Sequence, residues 1–355
     1  MINNLELKTD TKGQRRDMKQ NNRLTGSISL SVLVFGVLLA LVPMTLAADS
    51  PYIGQWALTI PNGSPGWLGI TENNGDLEAG ILWGGGSVKP VTSAQVEGDR
   101  LVLTRVQVGT RGADKGIRIT ETITATLSGD QMALVTVKAR PDGSEFDRGE
   151  FTGHRTPPLP PRPDLSNVEF GEPISLFNGK DLSGWQAMSP NARMGWSVED
   201  DVLINRTHDE NGQSLGAHTN IRTEQEFEDF NLTLEARTLA SSNSGVYLRG
   251  IYEIQVCESY GKPVNPHNMG AVYSRICPTV AGEKPIGEWQ TLDITLVDRH
   301  VTVILNGQTI IDNQPVLGCT GGALWSDPLR PGPLYLQGNH SDIDYRNIVL
   351  RPVMK

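Results

Sequence analysis

The residues best suited to chemistry in this 355-residue chain lie between Asn243 and Glu258, in the run Asn-Ser-Gly-Val-Tyr-Leu-Arg-Gly-Ile-Tyr-Glu-Ile-Gln-Val-Cys-Glu. The run reads as two short strands around a turn at Gly250. Side chains alternate faces along a strand, so Val246 and Leu248 point one way and Tyr247 and Arg249 the other. In the second strand Ile254 and Val256 share one side, with Glu253, Gln255 and Cys257 opposite. An exposed sheet face shows the same alternation, and an Arg249–Glu253 pair across it would be ordinary. This polar side, however, carries Tyr, Arg, Glu and Gln without Lys or a Thr run. Those groups bind and polarise a small polar ligand, and the expectation is the floor of a binding or catalytic cleft.

A floor of this kind needs a sheet protein around it, and the composition agrees. Glycine (38) and proline (22) are frequent and short alternating runs recur, which predicts an all-β chain. The length accommodates two domains. The formal net charge is −9; without the first 47 residues, 25 basic face 37 acidic side chains, a net of −12. An acidic body with no basic stripe excludes nucleic acid as a partner. Arg15, Arg16, Lys19 and Arg23 precede an apolar run from Ile28 to Leu46, and Thr45 and Ala47 stand where a signal peptidase reads small residues. This predicts a signal peptide over residues 1–47, export to the periplasm or the exterior, and no stable membrane span after cleavage. The alternative is an uncleaved anchor. Of the three cysteines, Cys277 and Cys319 are the expected disulfide, and Cys257, on the cleft face, is left over.

Two modules emerge along the chain. From residue 49 to 155, strand candidates such as Tyr52–Ile60, Leu77–Trp83, Arg100–Val108 and Gln131–Ala139 alternate with the turn signals Asn74-Gly75, Gly98-Asp99, Gly129-Asp130 and Asp142-Gly143. Seven or eight short strands predict a small β-barrel or β-sandwich, similar at the level of fold to lipocalin-like barrels. Residues 156–167 begin Thr-Pro-Pro-Leu-Pro-Pro-Arg-Pro, a linker expected to be an extended, semi-rigid spacer. From residue 168 to 355 about a dozen short strands without helices predict a two-sheet jelly-roll sandwich, with a hairpin at Asn306-Gly307.

The second module resembles the 3-keto-disaccharide hydrolase domain family, whose fold is the concanavalin A-like lectin/glucanase jelly roll. The resemblance rests on an ordered series: Leu176-Phe-Asn-Gly-Lys-Asp-Leu-Ser-Gly-Trp185, Trp196-Ser-Val-Glu-Asp-Asp-Val-Leu203, Asp229-Phe-Asn-Leu232, Asn243-Ser-Gly-Val-Tyr-Leu-Arg249 and Tyr252-Glu-Ile-Gln255. Gly270-Ala-Val-Tyr273, Gly287-Glu-Trp289, Leu305-Asn-Gly307, Leu336-Gln-Gly-Asn-His340 and Tyr345-Arg-Asn-Ile348 complete it. Two positions depart from the family pattern. Ile251 stands where a glycine is usual before Tyr252, and Gly338 and Asn339 lengthen the segment that ends in His340.

The resemblance implies an enzyme, a hydrolase or lyase, that cleaves a glycoside already oxidised at C3. The ketone acidifies the C2 hydrogen, so the C1 aglycone can leave by β-elimination and water can add afterwards. Such a site needs a base near C2, a clamp on the C3 oxygen and an acid for the leaving group, without the paired carboxylates of ordinary glycosidases. Glu253 would be the base, or a metal or hydroxyl ligand. His340 would be the acid or a second base, and Arg249 would clamp the enolate or orient Glu253. Asn243, Tyr247, Gln255, Tyr273, His267 and Gln337 would bind the sugar. No cofactor is certain. A divalent metal is possible, and His208, His218, Asp342 and Asp344 offer weaker alternatives for it. Trp185, Trp196 and Trp289 are expected in the core rather than on the sugar. The partners implied are the 3-keto sugar and an upstream sugar 3-oxidoreductase, because no nucleotide-binding glycine pattern is present. Polysaccharide contact by the first module would expose Trp67 and Trp83. The alternative reading is a non-catalytic carbohydrate-binding protein on the same fold.

Overall fold

The computed structural model describes residues 50–110 and 112–354. The expected signal peptide, residues 1–47, lies outside the described residues. Among them helix is confined to two single 3-10 turns, Gly112–Asp114 and Leu165–Asn167.

The first module is a barrel. Its strands are β1 (Gly54–Thr59), β2 (Pro65–Asn73), β3 (Asp76–Leu82), the two-residue β4 (Lys89–Pro90) and β5 (Ser93–Glu97). They continue with β6 (Arg100–Val108), β7 (Arg118–Ser128), β8 (Gln131–Ala139) and β9 (Glu145–Arg155). Neighbours pair antiparallel in the order β1-β2-β3-β5-β6-β7-β8-β9, and β9 returns to β1 to close the ring. Closure removes the open edges that would otherwise recruit other strands. Alternation sends Trp56, Leu58, Leu68, Ile81, Leu103 and Leu134 inward, where side chains fill the interior.

The second module is a sandwich, as its alternating runs predict. Its strands are β10 (Ile174–Ser175), β11 (Trp185–Ala187), β12 (Trp196–Glu199), β13 (Val202–Asn205), β14 (Ile221–Phe227) and β15 (Phe230–Thr238). Next come β16 (Asn243–Leu248), β17 (Tyr252–Cys257), β18 (Trp289–Val297) and β19 (His300–Leu305). β20 (Gln308–Pro315), β21 (Gly332–Leu336) and β22 (Ile343–Pro352) end the fold. The larger sheet runs β12-β13-β22-β15-β18-β19-β20, with β10 added on β22; the smaller runs β11-β14-β21-β16-β17. Leu232, Leu234, Leu292 and Ile294 of the larger sheet share one core with Val246, Leu248, Ile254 and Val256 of the smaller. Trp185 and Trp196 are buried in that core. Trp289 lies instead under the guanidinium groups of Arg237 and Arg346. Asn306 and Gly307, both at positive φ, make the β19–β20 turn.

Barrel and sandwich belong to one compact unit. The proline-rich segment is not a free spacer. Arg299 donates to the carbonyls of Pro157 (3.1 Å) and Pro158, and Asn313 donates to that of Pro163 (2.8 Å). Proline has no N–H to give, so the sandwich captures the segment through its carbonyls. The expected disulfide is absent, because all three cysteines are free. Cys319 is buried with its thiol facing the Gly66 carbonyl of the barrel (3.7 Å), whereas Cys277 is exposed.

Candidate active site

The β16–β17 hairpin sets Tyr247 directly opposite Glu253 and Gly245 opposite Gln255, and β21 places Tyr335 beside Tyr247. The inner face of this sheet is core, so the outer face gathers the polar side chains. Glu253 lies across Gly245, where an added Cβ would sit 2.6 Å from the carboxylate Oε1. The Tyr247 and Tyr335 rings stack with centroids 3.7 Å apart and planes 13° off parallel. Their hydroxyls donate to the carbonyls of Gly321 (2.7 Å) and Gly322 (2.6 Å).

These groups enclose a cavity of about 240 Å³. Its buried floor is made by Tyr247, Glu253, Gly321 and Gln337. Half-buried Tyr273 forms a side, and exposed Asn243, Gly322 and His340 form the rim with Gly85 and Gly86 of the barrel. A larger groove of about 590 Å³ runs along the barrel beside Trp67 and Leu317, but Glu78 is its one titratable lining residue. The smaller cavity gathers Glu253, Tyr247, Tyr273 and His340.

The electrostatics of the floor are unusual. Glu253 is 4% exposed and has no cation against it; desolvation pushes its pKa up to about 8 although the Tyr247 hydroxyl favours the charged form. The Tyr247 phenol is raised by burial and by the neighbouring carboxyl, so it stays protonated. Partial desolvation lowers His340 below the ordinary histidine value. The loop carrying His340 is held by Asn205, whose amide donates to the carbonyls of Gly338 (2.9 Å) and Ser341 (2.8 Å), and by Asn220, which accepts from the Gly338 amide (2.9 Å).

Glu253, His340, Asn243, Tyr247, Tyr273 and Gln337 thus meet at one cavity. Three expected residues do not line it. Arg249 is 2% exposed and donates to the carbonyls of Pro328 (2.8 Å) and Arg330 (2.7 Å). Its φ of +53°, followed by Gly250 at +69°, makes it part of the tight turn rather than of the strand, so the face alternation ends at Leu248. Gln255 lies beneath the cavity: oriented by its partners, its Nε2 faces Ser244 O (3.0 Å) and Glu253 Oε1 (3.2 Å). His267 backs the wall, bonded to Ser87 Oγ (2.9 Å) and edge-on to the Tyr273 ring. Tyr335, which alternation puts on one strand face with Gln337, was not among the expected site residues. Nor were the glycines at 85, 86, 321 and 322, which announce themselves only as Gly-Gly runs.

Trp67 is 8% exposed beneath the Arg275 guanidinium, so it offers no open platform to a polymer. Among the described residues no group of three or more His, Cys, Asp or Glu side chains is placed to hold a metal ion. His208 leans on Asp342 (3.4 Å), His218 on the Gly216 carbonyl, and Asp344 is taken by Arg206 and Arg237.

Two expectations test this description. Arg249→Ala removes charge-assisted bonds to buried carbonyls and should destabilise the fold by about 3 kcal/mol, while kcat of the folded protein stays near wild type; a collapse of kcat with unchanged melting temperature would return Arg249 to the site. Glu253 holds its proton to about pH 8 when folded but to about 4.5 in the open chain. Between those values the folded state binds the extra proton, so stability falls as pH rises from about 4.5 to about 8. Glu253→Gln abolishes that slope. Its melting temperature should match wild type near pH 4.5 and exceed it at pH 8, as read by thermal denaturation.

Residues 172–351 match the family model described as 3-keto-alpha-glucoside-1,2-lyase-like domain. Among curated proteins none matches the chain. Similar solved structures include two from Parabacteroides distasonis ATCC 8503, each described as a putative glycosyl hydrolase. One is 21% identical with a TM-score of 0.41, covering 51% of this chain and 94% of that one. The other is 25% identical with a TM-score of 0.38, covering 51% and 100%. The carbohydrate-binding module CBM66 from Bacillus subtilis is 13% identical with a TM-score of 0.32, covering 46% and 93%. With half of its length matched by the family model, over residues that include Glu253 and His340, the chain belongs to the family of 3-keto-alpha-glucoside-1,2-lyase-like domains.

Proposed function

We propose that the Glu253 cavity cleaves a glycoside whose sugar carries a ketone at C3. The observation that carries this reading is a carboxyl buried without a countercharge at the bottom of a cavity sized for one sugar ring. A desolvated carboxylate is a stronger base than one in water, as removal of the C2 proton beside a ketone requires. Glu253 takes that proton; the electron pair forms the enolate, then the C1=C2 bond, as the C1–O bond breaks. With Arg249 elsewhere, the C3 oxygen is left to neutral donors, the amides of Asn243 and Gln337 and the hydroxyl of Tyr273. His340, at the rim, relays a proton to the departing oxygen: its N–H proton is transferred as its other ring nitrogen takes one from water, and the hydroxide left behind takes up the proton that Glu253 removed from C2, which restores both groups. Water then adds to the unsaturated sugar, which makes the net reaction a hydrolysis.

The ketone is installed by a separate sugar 3-oxidoreductase. The basic and apolar stretches before Asp49 support export, so both reactions belong outside the cytoplasm.

The test compares a 3-keto-disaccharide with its unoxidised parent, with and without chelator. Only the keto form should be cleaved, and a substrate deuterated at C2 should react more slowly. Because the base is the ionised carboxyl, kcat/KM should rise with pH to a plateau above about 8, and Glu253→Gln should abolish turnover while sugar still binds. A rate that falls through pH 8 would make protonated Glu253 the acid instead. Binding of both sugars with cleavage of neither would leave a carbohydrate-binding protein. Loss of turnover with chelator would reopen the metal.

A further inference from the structure

The cavity is not the sandwich's alone. The connection from β3 to β4 of the barrel, Trp83-Gly-Gly-Gly-Ser-Val88, reaches over the outer face of the smaller sheet and supplies Gly85 and Gly86 to the rim. Gly86 meets Gly321 backbone to backbone, so closely that a Cβ on Gly321 would stand 2.2 Å from the Gly86 carbonyl oxygen. Two hydrogen bonds fix the loop on either side of the approach. Ser87 Oγ meets His267 Nε2 at 2.9 Å, and the Val88 amide donates to Ser274 Oγ at 2.9 Å. Behind the loop, Trp67 donates to the Leu317 carbonyl (3.1 Å) and carries Arg275 over its ring.

Depth orders the lining. Glu253, Tyr247 and Gln337 are buried, whereas Gly85, Gly86 and His340 are exposed. A volume of about 240 Å³ falls below the roughly 300 Å³ at which pockets for larger ligands begin. One ring fills it. In a substrate whose C2 hydrogen reaches Glu253, the remaining unit must stand at the rim, between the barrel loop and His340.

The geometry points to the barrel loop at Gly85–Gly86 as the leaving-group subsite, a specificity-determining wall that accepts a second sugar or a similarly compact polar aglycone. This rests on the reading of the cavity as a 3-keto-glycoside site. The wall consists of peptide groups with no side chain over three successive residues. It therefore offers hydrogen-bonding groups to hydroxyls and no apolar platform to an aromatic aglycone. Among the described residues no protein group accepts from the Gly85 or Gly86 amide. The first module is thus part of the active site, and the sandwich alone would have an open cleft.

Gly85 is the place to test this. Its φ lies outside the left-handed region and an added Cβ meets nothing within 4 Å, so a side chain there strains no backbone. Wild type, Gly85→Ala and Gly85→Leu would be assayed on a methyl 3-keto-glucoside and on a 3-keto-disaccharide, with melting temperatures for each. Gly85→Leu should lower kcat/KM for the disaccharide by about tenfold or more, mainly through KM, in line with one misfitted group in a binding pocket. The methyl glycoside should be little affected, and Gly85→Ala should fall between. An equal loss on both substrates, or no loss on either, overturns the subsite while leaving the Glu253 chemistry intact. If wild type cleaves neither substrate, the function reading itself fails and the subsite falls with it.

Discussion

A carboxyl held out of water with nothing positive beside it is the constraint around which this site is built. Such a group is stable only where the walls cannot relax to admit solvent. The surroundings of Glu253 are made to that requirement. Gly245 leaves room for the side chain over the sheet, the Tyr247–Tyr335 stack covers its flank, the Gly322 carbonyl takes the Tyr335 hydroxyl, and the Tyr247 hydroxyl lies between the Gly321 carbonyl and the carboxyl. A larger residue at 245 or 322 would meet Glu253 or Tyr247 at 2.6 Å. The tyrosines exclude water without contributing charge, because burial keeps both phenols protonated.

That requirement also explains why a barrel rests on the sandwich. The smaller sheet needs one face for the core, and its outer face would otherwise be washed by solvent. The 317–325 loop covers part of it and is itself pinned from above by the barrel. Gly318 packs against the Trp67 ring, Cys319 faces Gly66, and Gly321 faces Gly86. Each contact uses a residue too small to hold the two bodies apart. The docked proline segment works in the same direction, since its fixed φ angles limit how far the barrel can swing.

Much of this was legible in the residues, and what was not has a physical reason. Period-two alternation placed Val246, Leu248, Ile254 and Val256 in the core and Tyr247 and Glu253 opposite, because a sheet face is a local property of sequence. The rule failed at Arg249, where a left-handed residue ends the strand and redirects the side chain. Along β14 Ile221, Thr223 and Phe227 are buried but Gln225, on the same alternation, is exposed, and the pairing with β21 shifts register between Arg222 and Glu226. The Cys277–Cys319 pairing could not be judged without knowing that Cys319 serves the contact with the barrel. The share of the barrel in the cavity was equally hidden, since a glycine run advertises a loop but not what the loop will touch.

Glu253 differs from the other buried carboxylates of the molecule. Among the described residues three carboxylates are buried: Glu121, Glu253 and Asp344. Glu121, inside the barrel, has Arg105 at 3.2 Å and the Thr136 hydroxyl at 2.9 Å. Asp344, under the sandwich edge, is gripped by Arg206 at 2.6 Å and Arg237 at 2.7 Å. Both follow the general rule that buried charge is paired. Glu253 breaks it, although Arg249 stands four residues away in sequence. The turn at Arg249 and Gly250 sends that guanidinium to the far end of the sheet, where it satisfies backbone carbonyls. Had the strand continued, the arginine could have neutralised the carboxyl and lowered its pKa. The turn that removes the pairing is thus what leaves the Glu253 carboxyl without a countercharge, and its pKa raised.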